Sequence, residues 1–446
     1  MKQKLRRYLC MTLILILTLS AMPMSAFADT DSYGVDAEWY NFRNNPENNG
    51  ITDSATPVTA EETALKWGVK YGTGWSAAPT PPLILNGKLY IGVGNQILEL
   101  DRETGEELRR SDEMIGNVGY AMNPLTYADG KLFVQVGNGC IQAVDLKTLQ
   151  CLWYTEKIGG QTLCPISYTN IDGTGYIYSG TWASETRAGS YFCVTTDDEN
   201  LTDADGTKGG GKIKRLTWQF TPSKDDEEVT STPRGFYWAG AYACENYVAV
   251  GSDDGDYEGS YTDGACFYTL DPKTGEIIDK IGGIAGDIRT TTVYDNGYLY
   301  FGTKGGVLYK VEVSVNGELS NPSSIDIKAA LESDGTMMTA APIVYGNKIY
   351  VGVSGSGGQF DADGGHCFCV IDNSTGLNND SVMYTIAIPG YPQAAALAST
   401  AYVNEDFNGD NEPDGRVYLY FTYNAHPGGI YYCYDTAEQT KYNEDQ

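Results

Sequence analysis

One short apolar strand is written seven times along this chain, and that repeat limits the possible folds more than any other feature. The copies are "KLYIG" at Lys88, "KLFVQ" at Lys131, "YIYSG" at Tyr176, "YVAVG" at Tyr247, "YLYFG" at Tyr298, "KIYVG" at Lys348 and "YLYFT" at Tyr418. Their central residues, Tyr90, Phe133, Tyr178, Ala249, Tyr300, Tyr350 and Tyr420, lie 43, 45, 71, 51, 50 and 70 positions apart. A unit of about 40 residues cannot bury its apolar face alone and must stack on its neighbours. With insertions, this is the period of a four-stranded propeller blade.

The flanks of each copy supply the other strands. Ahead of it stands a strand often entered by proline, as in "PLILNGK" at Pro82, "PLTYADGK" at Pro124 and "APIVYGNK" at Ala341, with Asn-Gly, Asp-Gly or Gly-Asn at the hairpin. After it comes a third strand ending in an acid, at Asp101, Asp145, Asp271 or Asp372, then a turn and a fourth strand. The turns "LDRETGE" from Leu100 and "LDPKTGE" from Leu270 read as one device. Asp caps the turn, Thr adds a second local hydrogen bond, and Gly takes the positive φ of the reversal.

An apolar-x-Asp-x-x-Thr-Gly turn followed by a tryptophan-bearing strand resembles the quinoprotein-like (PQQ-like) β-propeller repeat. The resemblance covers residues 64 to 436, and "WYNFRNNPENNG" from Trp39 is similar to the lead-in that precedes such propellers. It implies an all-β chain forming a single β-propeller of seven four-stranded blades, or eight if the chain is truncated. The docking tryptophan is uneven: Asp145 leads to Trp153, but Asp101 leads to Arg109 and Asp271 to Asp279. Trp218 ends the third blade, after an insertion from about Asp197 to Gly211 that reads as a solvated polar loop. The last copy breaks off after Asp435, so "ALKWGVKYG" from Ala64 is expected to close the ring as an N-terminal strand paired with the last blade. Ala329 to Glu332 and Thr59 to Leu65 are the only helix-like patches.

Residues 1–28 read as a cleaved signal peptide: Lys2, Lys4, Arg6 and Arg7 precede the apolar run Leu9 to Met22, and Ala26-Phe27-Ala28 offers small residues for cleavage. Residues 29–63 form the lead-in and 64–446 the propeller. Cys10 stands too early to be a lipidated N-terminus, and no later stretch is long enough to span a bilayer. We therefore expect a bacterial protein that is secreted or held at the cell surface, and a monomer. The signal carries four basic residues and no acid, so removing it takes the formal charge from −28 to −32. Nucleic acid is not an expected partner, because phosphate binding needs clustered Lys and Arg.

An odd count of nine cysteines after the signal fits no complete disulfide framework. Cys140, Cys266, Cys367 and Cys369 share third-strand positions, which suits buried reduced thiols used as small apolar residues. Zinc on His366, Cys367 and Cys369 is not expected, because two thiols on one strand face do not complete a tetrahedron. The resemblance raises pyrroloquinoline quinone as a cofactor. Quinoprotein alcohol dehydrogenases commonly carry adjacent cysteines and a calcium site of Glu, Asn and Asp; no two cysteines adjoin here, and neither set can be carried over. The cofactor is not expected. His426 has no recognisable nucleophile beside it, so a hydrolytic triad has no support.

Two constellations remain. "DFNGDNEPDG" sets Asp406, Asn408, Asp410, Glu412 and Asp414 at alternating positions, an oxygen-rich loop resembling calcium loops, with a polar hairpin as the plain alternative. A second cluster, Asp253, Asp254, Asp256 and Glu258, suits an exposed loop equally well. The segments entering each blade cross one face of the ring towards the axis, and they carry Trp75, Tyr120, Gln161, Tyr237, Trp238, Arg289, Met337 and Tyr391. If equivalent, these side chains converge on one mouth suited to a glycan, a peptide or a surface protein; otherwise they plug the channel. The sequence therefore points to a non-catalytic binding or interaction module. The alternatives are a quinoprotein-type oxidoreductase and a carbohydrate-active propeller enzyme.

Overall fold

In the computed structural model, the described residues are 30–59, 64–72, 78–118, 124–137, 139–158, 164–182, 188–222, 234–255, 262–333, 335, 337–355, 364–424 and 429–435. The expected signal peptide, residues 1–28, lies outside the described residues.

Seven sheets follow one another along the chain; the repeated strand is second from the inner edge in six of them, Lys88–Val93, Lys131–Val136, Thr174–Gly180, Val248–Gly251, Tyr298–Gly302 and Lys348–Val353, and third in the last, Val417–Tyr423, where Ile51–Thr52 is added at the edge. Blades one to six each meander through four antiparallel strands of their own, as in Leu83–Leu85, Lys88–Val93, Gln96–Asp101 and Glu107–Arg110. The core lies between consecutive blades. Leu83 and Ile97 of blade one pack with Leu132, Val134 and Cys140 of blade two, and Val293 and Leu308 of blade five with Ile349 and Cys369 of blade six. Each fully buried aliphatic side chain of this kind contributes about 1.5–3 kcal/mol, which is why one blade cannot stand without its neighbour.

The repeated turn is built as its residues predict. Asp101 Oδ1 accepts from the amides of Glu103 and Thr104, both 2.8 Å, and Thr104 Oγ1 accepts from the Glu106 amide at 3.3 Å. Asp271 repeats these bonds with Lys273, Thr274 and Glu276. Gly105 and Gly275 take φ values of 73° and 74°. Both glycines also admit a tryptophan. A Cβ on Gly105 would fall 2.4 Å from the Trp67 ring, and one on Gly275 would fall 2.6 Å from the Trp218 ring. The indole nitrogens donate to Arg102 O and Pro272 O, each at 3.0 Å.

Each docking residue thus reaches the turn of the next blade. Trp153 of blade two, fully buried, donates to Asp198 Oδ1 in blade three at 2.9 Å. Where the tryptophan is missing, a polar group does the same work. Arg109 donates to Lys147 O of blade two at 2.8 Å, and Asp279 Oδ2 accepts from the Leu319 amide of blade five at 2.8 Å.

Three readings of the sequence need correction. The Asp197 to Gly211 insertion is more than a solvated loop: Leu201–Asp203 and Lys212–Lys214 form a hairpin that joins the outer strand of blade two in parallel, Ile213 opposite Tyr154. Lys214 holds it there. Buried to 1% exposure, its ammonium donates to Asp197 O and Oδ1 and to Glu199 O and sits over the Trp153 ring. Second, the N-terminal strand of the last sheet is Ile51–Thr52, parallel to Leu397–Ser399, and the segment from Ala64 to Gly72 is assigned no strand. Trp67 within that segment still docks on blade one as Trp218 of blade three docks on blade four. Third, Asp253 and Asp254 are not in an exposed loop but buried, at 2% and 1% exposure.

Candidate functional site

The lead-in crosses the middle of the molecule. First strands of blades are inner edges with unpaired backbone groups, and this segment satisfies them. Trp39 exchanges both backbone bonds with Ile84 of blade one at 2.9 Å, and the Tyr127 amide of blade two donates to Tyr40 O at 2.8 Å. Asn48 Nδ2 bridges Ala241 O and Thr292 O of blades four and five. Asn49 imitates a strand rung: its side-chain amide donates to Val344 O at 2.7 Å and accepts from Val344 N at 3.0 Å. Arg43 donates to Ala341 O, Pro342 O and Ala396 O, all at 3.0 Å, in blades six and seven. Its guanidinium has no carboxylate partner among the described residues, and burial pulls its pKa down to about 9.

Above this floor is a cavity of about 810 Å³. Trp39, Phe42 and Arg43 line it from the lead-in, and the rest of the wall comes from blade entries, among them Pro82, Pro124, Trp238, Thr291, Ala341 and Gln393. Because the lining comes from six blades, the cavity sits at the axis. Tyr420, Phe421 and Asn424 of blade seven complete it.

Of the residues expected to converge on one mouth, Trp238 lines the cavity, and Tyr237 and Arg289 pack beside it without being among the described lining residues. Tyr237 and Trp238 stack with centroids 4.6 Å apart, and the Arg289 guanidinium lies 4.1 Å from the Tyr237 ring and 5.9 Å from that of Trp238. Trp238 holds φ at 65°, unusual for a bulky residue, and forms cavity wall. The Met337 amide donates to Ser354 Oγ, its carbonyl accepts from the Ser354 amide, and the residue does not line the cavity. Tyr391 is fully buried, its hydroxyl paired with Thr339 Oγ1 and its ring beside His366. Trp75, Tyr120 and Gln161 lie outside the described residues, as do His426, Asp256 and Glu258.

Arg289 leads into a buried ionic cluster behind Trp238. Its Nη2 donates to Asp287 Oδ2 at 2.7 Å, its Nε lies 3.4 Å from Asp253 Oδ1, and Lys304 stands 3.9 Å from Asp287. Burial lifts the Asp253 carboxyl; Arg289 pulls it back while Asp287 and Asp254 push it further, leaving it at about 8. Burial also pushes Asp287 up, but Arg289 outweighs it and holds that carboxyl below the usual range. Both Asp253 oxygens, Arg289 Nη1 and Trp238 Nε1 are buried without a hydrogen-bond partner among the described residues. No local pattern marks this cluster, since Asp253, Asp287 and Lys304 come from three separate segments.

In the 406–414 loop the hydrogen bonds of the carboxylates run within the loop, and Asp414 also pairs with Arg416 at 3.5 Å. Asp406 accepts from the Gly409 and Asn411 amides, Asp410 from Glu412, and Asp414 from Phe407 and from Asn408 Nδ2. Among the described residues no group of three or more His, Cys, Asp or Glu is arranged to hold a metal. The nine described cysteines are free, and all but Cys244 and Cys433 are buried. His366 Nδ1 accepts from the Gly355 amide at 2.9 Å, so that nitrogen is already engaged. Calcium-assisted quinone chemistry needs carboxylate oxygens beside the cofactor. The described residues of the cavity lining include no Asp, Glu or Cys, and this set does not fit pyrroloquinoline quinone. No described helix is long and apolar enough to cross a membrane.

Residues 54–181 match the family model described as outer membrane protein assembly factor BamB. No curated protein matches the sequence. Among solved structures, the chain is similar to quinohemoprotein alcohol dehydrogenase from Comamonas testosteroni, at 12% identity and a TM-score of 0.55, over 88% of this chain and 80% of that one. BamB from Moraxella catarrhalis aligns at 14% identity and a TM-score of 0.44, over 83% and 90%. The alcohol dehydrogenase, so distant in sequence, shares the fold and lends no activity. With seven successive blade sheets, a turn and docking contact shared between blades, and a family model matched over residues 54–181, this chain has the fold of, and is similar to, the quinoprotein-like (PQQ-like) β-propeller repeat proteins.

Proposed function

We propose that this chain is an exported bacterial binding or interaction module, without catalysis, that works at the cell surface or outside the cell and receives its ligand in the axial cavity. The observation that carries the reading is Trp238: one indole forms cavity wall, stacks on Tyr237 and keeps a buried N–H without a described partner. An aromatic face with a spare donor in a concave, mainly apolar site is the usual make-up of a recognition pocket. The matched family's description as an outer membrane protein assembly factor supports a protein-interaction role in the cell envelope. Glycan and peptide arrays probed with the purified chain and with Trp238→Ala test it. At least a tenfold loss in the variant is expected for truncating a central aromatic anchor, roughly the 1.4 kcal/mol a factor of ten represents. Undiminished binding would refute the cavity as the binding face.

A second reading, a carbohydrate-active enzyme, is favoured by one observation: Asp253 and Asp287 flank one arginine with proton affinities pushed in opposite directions. Glycan turnover that survives Asp253→Asn would dispose of it.

A further inference from the structure

The chemistry of the cavity wall narrows the ligand class, granted the binding reading above. Arg43 is the single charged residue among the described residues of the lining. Its Nη1 and Nη2 are engaged by three carbonyls, and the chain covers its remaining edge: a Cβ on Gly50 would stand 2.4 Å from Nε and 2.6 Å from Nη2. The edge that would grip a carboxylate with two parallel bonds is therefore closed. With no cation free to pair it, an anion entering the cavity would be desolvated without compensation. A cationic ligand fares no better, because the described residues of the lining include no acid.

A polyhydroxylated ligand is also poorly served. Most of the lining is alanine, proline, leucine or aromatic, and each hydroxyl buried there without a partner is costly. One polar feature stands out against this apolar background. Asn424 Nδ2 donates to Gln393 Oε1, which ties two half-buried side chains together at the cavity edge. The tie leaves the Nε2 donor of Gln393 and the Oδ1 acceptor of Asn424, on two side chains that both line the cavity, without a bond to a described residue. A donor together with an acceptor is the complement of a peptide group, whose carbonyl accepts and whose N–H donates.

We infer that the axial cavity takes an uncharged apolar ligand bearing a peptide-type amide, as a hydrophobic peptide segment does, with the amide on Gln393 and Asn424 and the apolar groups against Trp238 and Phe421. The probes are three matched compounds: N-methyl-3-phenylpropanamide, methyl 3-phenylpropanoate and 3-phenylpropanoate. Ligand-observed NMR titration of the purified chain measures each. The amide binds about five- to tenfold tighter than the ester, which lacks the N–H, as one hydrogen bond predicts, and the carboxylate binds weakest. Asn424→Leu brings the amide down to the level of the ester. If that variant melts early, Gln393→Met serves instead and weakens amide and ester together.

Equal affinity for amide and ester, or a carboxylate that binds as well as either, overturns the inference while leaving the cavity as the binding face. Oligosaccharide binding that needs Trp238, with no amide binding, has the same effect. If Trp238→Ala changes the affinity of none of the bound probes, or no probe of any class binds, the cavity reading falls and the inference with it.

Discussion

Replacing Asp253 by asparagine should change how the stability of this protein depends on pH. Asp253 is 2% exposed and its carboxyl is raised to about 8, whereas an aspartate in an unfolded chain titrates near 3.9. Between about pH 4 and pH 8 the native state therefore holds a proton that the unfolded state has released. Stability is highest below that window, falls as pH rises through it, and levels off above the folded-state value. A shift of roughly four units at about 1.4 kcal/mol each amounts to a loss on the order of 5 kcal/mol. That is a large part of the roughly 5–15 kcal/mol that holds a domain together. Asp287 has the opposite sign: it is held below the usual range, so its contribution is present above about pH 4 and is lost only in more acid solution. It does not mask the effect. An asparagine side chain cannot ionise, so the substitution removes the slope. Urea midpoints measured from about pH 5 to pH 9 should fall with pH for the native chain and stay nearly level for Asp253→Asn, the variant becoming the more stable at the alkaline end. Parallel curves for the two proteins would refute the reasoning, since they would mean that Asp253 is ionised throughout or that Arg289 compensates it fully.

Two further outcomes are expected. Trp218→Ala should destabilise by about 3–5 kcal/mol, because the ring is 8% exposed and docks on Gly275, while the half-exposed Trp67→Ala should cost only about 1–2 kcal/mol; equal losses in urea melts would contradict docking graded by burial. Calcium in the 406–414 loop remains a proposal carried by its oxygen count: the melting temperature of the native chain should fall on chelation and that of Asp410→Ala should not, and a native chain indifferent to chelator discards the ion.

What the sequence made legible follows from the range of the interactions involved. The Asp101 and Asp271 turns close within five residues, so their bonds could be read off residue type alone. Blade docking was half legible. Trp153 and Trp218 announced themselves, but Arg109 and Asp279 reach the neighbouring turn through hydrogen bonds that no apolar pattern marks. The hairpin at Leu201–Asp203 looked like solvated loop because Lys214 and Asp197 are polar; only the open edge of blade two and the Trp153 face give them a reason to be buried. The floor of the cavity was least legible of all. Asn48, Asn49 and Arg43 bond to carbonyls 193 to 353 positions away, and nothing local separates such residues from ordinary turn formers.

The same contrast locates function in this fold. Local rules determine the turns and strands, so those positions have little freedom to vary in chemistry. The blade entries and the lead-in have side-chain roles set by distant partners, and there this chain departs from a plain scaffold: a guanidinium stabilised by carbonyls, a tryptophan at positive φ, and a carboxyl kept neutral behind it. Such groups are costly to bury, and three of them border or back one cavity. A scaffold with no ligand would gain by replacing Asp253 and Trp238 with apolar residues of ordinary conformation. Their cost is intelligible if the cavity is used, and the urea and titration experiments measure that cost and that use separately.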